Sequence, residues 1–134
     1  MEEISPEQAK TSWYIDLDWY QSNHRSFSTL AGRCLCANCR ERLQVTGGEI
    51  PADELMAAIK DCCSREPGFI SGELPILESI FRLFLANGNQ PLGLEELSKQ
   101  LSEWRAESSH RTSTKVLYRL LNNDQHYGLR QFTG

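Results

Sequence analysis

Five cysteines carry most of the chemistry that this chain can offer. Cys34, Cys36 and Cys39 fall within six residues, and Cys62 and Cys63 follow as an adjacent pair. Two thiolates spaced as in Cys36-Ala37-Asn38-Cys39 turn around one tetrahedral ion, because the short loop brings both sulfurs within about 2.3 Å of it. Five is an odd number, so complete internal disulfide pairing is excluded, and adjacent Cys62 and Cys63 pair with each other only under strain. The pattern points to reduced thiols holding a metal rather than to an oxidised, secreted framework.

A tetrahedral site needs two further ligands. The expected set is Cys34, Cys36, Cys39 and Cys63, with Cys62 as a substitute for Cys63 and His24 as a substitute for Cys34. Cys34 reaches the same ion only across an extended Leu35. Cys62 and Cys63 are not expected together, because successive side chains on a helix diverge by about 100°. Zn2+ in a closed structural role is the leading assignment. An iron–sulfur cluster, giving a redox or iron sensor, is the alternative, although the spacing matches neither familiar ferredoxin pattern. Arg33, Arg40 and Arg42 flank the run, where they offset thiolate charge or form a small anion-binding surface. No HExxH, GxSxG, P-loop or glycine-rich dinucleotide motif occurs, and His24, His110 and His126 are scattered. An enzyme is therefore not expected.

Charge narrows the partners. The net charge of -4 disfavours a protein that coats nucleic acid nonspecifically. From Arg105 onward, however, Arg105, Arg111, Lys115, Arg119 and Arg130 stand against only Glu107 and Asp124, and His110 and His126 add to this patch when protonated. No apolar run approaches the roughly 20 residues of a membrane span, and Met-Glu-Glu-Ile-Ser-Pro-Glu is acidic where a signal peptide is basic. A soluble, cytoplasmic protein is expected.

The elements that position these residues read as mainly helical. The first dozen residues lack apolar periodicity and are expected to fray. Trp13 to Tyr20 holds four aromatics and reads as an extended lead-in followed by a short helix, packed as core or interface. Ser26–Ala31 supplies a turn or two of helix before the cysteines. A helix opening near Pro51–Asp53 carries Leu55, Met56 and Ile59 toward Cys62 and Cys63. Pro75–Ala86 forms a helix with Leu77, Phe81, Phe84 and Leu85 on one stripe, stopped by Asn87-Gly88-Asn89. Leu94, Leu97, Leu101 and Trp104 form a second stripe. A third helix opens at Thr112 or Ser113 and carries Val116, Leu117, Leu120 and Leu121. Tyr127–Phe132 alternates as a strand or wing does. The expected division is a metal-clamped lobe over residues 1–69 and a helical domain over residues 70–134.

The helices at 77–86, 94–104 and 113–122, the phrase Pro91-Leu92-Gly93-Leu94-Glu95-Glu96-Leu97 and the terminal strand together resemble a winged helix-turn-helix domain. Gly93 stands where a serine or threonine cap is usual, and the connection from Trp104 to Thr112 exceeds a tight turn. The resemblance implies a DNA-binding transcriptional regulator whose third helix is the recognition helix. Its contacts would come from Arg111, Thr112, Thr114, Lys115, Tyr118, Arg119 and Asn122, with Arg130 on the wing. A homodimer would double the patch. The competing expectation is an adaptor that binds a protein partner through the same surfaces.

Overall fold

A computed structural model describes residues 11–44, 50–105 and 112–132. The fraying expected of the first dozen residues falls almost wholly outside that range. Strand β1 (Ser12–Ile15) buries Trp13 and Ile15 and leaves Ser12 and Tyr14 half-exposed, the period-two pattern of a strand with one face on the core. Asp16 caps helix α1 (Leu17–Ser22) by accepting from the Asp18 amide, and Ser26 caps α2 (Phe27–Gly32) through Thr29. Both side chains satisfy amides that a first helical turn leaves unpaired. Helix α3 (Ala37–Gln44) follows, then α4 (Ala52–Asp61), which starts behind Pro51 with Asp53 and Glu54 in its first turn. A single 3-10 turn, Cys63–Arg65, closes this half.

Helix α5 (Ile76–Ala86) is the centre of the molecule. Ile80, Phe81, Leu83, Phe84 and Leu85 are all buried and Leu77 only half so, so the single stripe read from the sequence is too narrow. The helix is covered on several sides, by α4, β1 and α6 (Leu94–Trp104). Its stop signal works as expected. Gly88 and Asn89 take positive φ of 76° and 61°, and the Asn89 amide returns to the Phe84 carbonyl at 2.7 Å. Asn89 also acts beyond its own helix. Its side chain accepts from Ile15 N at 2.8 Å and donates to Ile15 O at 2.9 Å, so it serves as an extra rung beside β1.

After α6 comes α7 (Thr114–Asn122), opened by Ser113, whose hydroxyl accepts from the Val116 amide. The apolar stripe of α7 is narrower than expected. Leu117 and Leu121 are fully buried, Leu120 is half-buried and Val116 is 38% exposed. Trp104, assigned to the α6 stripe, sits at the rim at 37% exposure with its ring tilted against Phe69. Between α7 and strand β3 (Leu129–Phe132), buried Asp124 accepts from the amides of His126, Tyr127 and Leu129. Gly128 cannot be replaced there without movement. Its φ is 67°, and a Cβ would lie 2.8 Å from the Tyr20 ring and 2.9 Å from the Trp19 ring.

The sheet is the main departure from the expected division. Its order is β2-β1-β3, all antiparallel, with β2 (Leu92–Gly93) on one edge of β1 and β3 on the other. Ser12 pairs with both Gly93 and Phe132. The strand expected to belong to the first lobe is therefore the central strand of the helical domain's sheet. One buried cluster runs from Trp13 through Cys39, Ile59 and Phe84 to Leu129, across the boundary expected at residue 69. Apolar area on both sides of that point is removed from water against the same helix, α5.

Candidate metal centre and nucleic-acid interface

The chain enters α3 at Cys36, whose carbonyl accepts from the Arg40 amide at 2.9 Å. Cys36 thus stands at the start of α3 and Cys39 in its first turn, the two positions at which each side chain can reach the other's backbone N–H, as in a capping box. From the other direction, α4 ends at Cys62, which leaves helical geometry with φ -129° and ψ -64° before the 3-10 turn begins at Cys63. This break removes the divergence expected of neighbouring helical side chains. Cys62 and Cys63 both face the α3 entrance. The sulfurs of Cys36, Cys39 and Cys62 lie within 4.8 Å of one another. Cys63 Sγ accepts from the Cys36 amide at 3.1 Å.

These distances suit a single ion. At a metal–sulfur distance of about 2.3 Å, the edge of a tetrahedron is about 3.8 Å, and Cys36 Sγ and Cys62 Sγ are 3.8 Å apart. Cys36, Cys39 and Cys62, with Cys63 beside them, form a cluster able to hold a metal ion. The electrostatics already favour one thiolate. The Cys36 thiol is drawn down to about 7, chiefly by a hydrogen bond from the Cys39 backbone and further by the thiols of Cys63, Cys39 and Cys62. Cys62 is pushed up to about 11 by its hydrogen bonds to Cys39 and Cys36, with burial adding to the effect. Burial raises Cys39 and Cys63. Of the four thiols, Cys36 is thus the most readily ionised. Arg42 donates to Cys39 Sγ at 3.6 Å, placing positive charge against the sulfurs. Arg40 instead donates to the Leu35 carbonyl.

Cys34 is a correction to the expected set. Arg33, Cys34 and Leu35 each donate to the carbonyl three residues back, so the chain turns where an extended Leu35 was required. Cys34 is buried on the far side, against a recess shared with Glu78, Phe81, Arg82 and Tyr127. Burial pushes its thiol up to about 11. Exposed His24, with φ 55°, belongs to no metal-binding group among the described residues. The place of Cys34 is taken by Cys62, so that both members of the adjacent pair join the cluster. Spacing alone gives no sign of this, because it depends on the break after α4.

The expected nucleic-acid residues divide into two sets. On α7, Arg119 and Asn122 are exposed, while Thr114, Lys115 and the preceding Thr112 are half-buried. Tyr118 packs edge-on against Trp13, with centroids 6.0 Å apart, and the Thr112 carbonyl accepts from Ser98. Arg111 lies outside the described residues. Two counted cations turn inward. Arg105 donates to the carbonyls of Leu74 and Gly72 and to Ser79 Oγ. Arg130 donates to the carbonyls of Asp124 and Leu129, lies 3.9 Å from the Asp124 carboxylate and covers the Trp19 ring. Their charge is spent holding loops, so the basic patch is smaller than the sequence count. No helix among the described residues is long and apolar enough to cross a membrane. Comparison with protein families, curated proteins and solved structures finds no match.

Proposed function

We propose that the chain is a zinc-stabilised, winged-helix-like protein that contacts double-stranded DNA through α7 and acts in transcriptional control. The observation that carries this reading is the succession α5–β2–α6–α7–β3, the helix, strand, helix, helix, strand order of a winged helix, with Arg119 and Asn122 exposed on the third helix. Zinc is favoured over an iron–sulfur cluster by the sulfur spacing. A multi-iron cluster distributes its thiolates over different irons, whereas Cys36 Sγ and Cys62 Sγ here are one tetrahedral edge apart and Cys39 Sγ lies within 4.8 Å of both. When bound, the ion would tie the start of α3 to the end of α4 through Cys36, Cys39, Cys62 and Cys63, a structural role.

The inward arginines make the expected binding weak and mildly salt-dependent. With Lys115 and Arg119 as phosphate contacts, the salt slope is about -1.8, a loss of about 12-fold in affinity between 50 and 200 mM salt. A dimer doubles the contacts and raises that loss to about 150-fold. Anisotropy titration of a labelled mixed duplex measures the slope, and Arg119→Gln should reduce it by about 1. Absence of duplex binding at low salt overturns the DNA reading. The second reading, a protein-binding adaptor, is favoured by the exposure of Val116 on α7 and of Phe132 on β3 at 42%. It predicts that Val116→Ser leaves duplex binding unchanged and abolishes partner capture.

A further inference from the structure

Away from the cysteines, the loop before α2, one side of that helix and the loop after α7 border an open concavity of about 220 Å3. Arg25, Arg33 and His126 line it with Ser26 and Thr29, and none of its described lining residues is acidic. In a chain of net charge -4, this concentration of cations is not a reflection of composition. Tyr20 and Leu30 form an apolar wall, and the Tyr20 hydroxyl already donates to the Tyr127 carbonyl.

Arg25 and His126 are held in place before any ligand arrives. The Arg25 guanidinium lies 5.7 Å above the Trp19 ring centroid and contacts His126 Nδ1 at 3.4 Å. A guanidinium only donates, so Nδ1 accepts in this contact, and the one side-chain donor that this leaves on a neutral His126 is Nε2–H. The His126 ring is braced edge-on by Tyr127, and its amide is bound by Asp124. Arg33 lines the concavity from α2's end and is exposed. We infer that this concavity is a binding site for the phosphate oxyanion, taken by the forked donors of Arg25 and Arg33 with His126 Nε2–H as a further donor. The smallest ligands of this chemistry that the concavity holds are orthophosphate and a short phosphate monoester whose carbons rest on Tyr20 and Leu30.

The test uses the full, metal-loaded chain in a non-phosphate buffer at fixed ionic strength. Amide spectra are titrated separately with orthophosphate and with glycerol 3-phosphate. The expected result is saturable shifts centred on Arg25, Arg33 and His126, weakened about tenfold or more by Arg33→Gln. Tighter binding of glycerol 3-phosphate assigns a monoester, and tighter binding of orthophosphate assigns the free ion. The Arg25→Gln/Arg33→Gln double variant, checked as folded by circular dichroism, should lose saturation altogether. Linear, non-saturating shifts in the unmodified chain, or equal affinity in the double variant, overturns the inference.

Discussion

Cys34 and Cys36 are two residues apart and meet different surroundings, which shows how far residue spacing alone can be read. The Cys36–Cys39 pair was legible, because its geometry is settled within one loop and one helical turn. The rest was not, because the turns through Arg33–Leu35 and the break at Cys62 decide which sulfurs converge. Single Cys→Ser changes at positions 36, 39, 62 and 63 should each reduce bound zinc and lower the melting temperature, whereas Cys34→Ser should keep one zinc per chain. Metal analysis and thermal melts read both outcomes, and loss of zinc in Cys34→Ser alone would reverse the ligand assignment. The thiol environments set the pH dependence. Cys39, Cys62 and Cys63 are raised and so carry protons at neutral pH, while Cys36, near 7, is partly ionised. A metal ion bound by these sulfurs must displace the remaining protons, so its affinity rises with pH through the neutral range and falls as the solution is acidified. At pH 7, binding should release between about three and four protons, measured with an indicator dye in weak buffer.

At the level of elements, most helices were legible because each is amphipathic or capped within its own sequence. Ser113 and the Asn87-Gly88-Asn89 stop behave as their local chemistry requires. What local sequence does not disclose is a second role for the same residue. Asn89 ends α5, and its side chain binds both backbone groups of Ile15, 74 residues away. Asn89→Gly keeps the left-handed backbone at no steric cost while deleting both hydrogen bonds. It should destabilise the protein by about 2 kcal/mol, from two lost bonds at a partly buried site. A urea midpoint shift with an unchanged m-value would show this, and an unchanged midpoint would mean that water replaces the side chain without loss.

For the molecule as a whole, the sequence supported a helical protein with a cysteine cluster, and the structure joins what periodicity had divided. Amphipathic patterns report which face of an element is buried but not which neighbour buries it, so β1 could not be assigned to its sheet from residues 12–15 alone. A fragment of residues 70–134 should therefore melt without cooperativity, since β2 and β3 would lose the strand that lies between them. A sharp thermal transition in that fragment would show that its helices suffice. The same central strand sets a timing problem during synthesis. Ile15 leaves the ribosome 117 residues before Phe132, its strand's last pairing segment. At about 5–20 residues per second that is a wait of roughly 6 to 23 seconds. Throughout it Trp13 and Ile15, fully buried in the finished protein, lack the strand that completes their sheet. A nascent chain is thus open to misassociation through β1 until β3 has been made to pair with it.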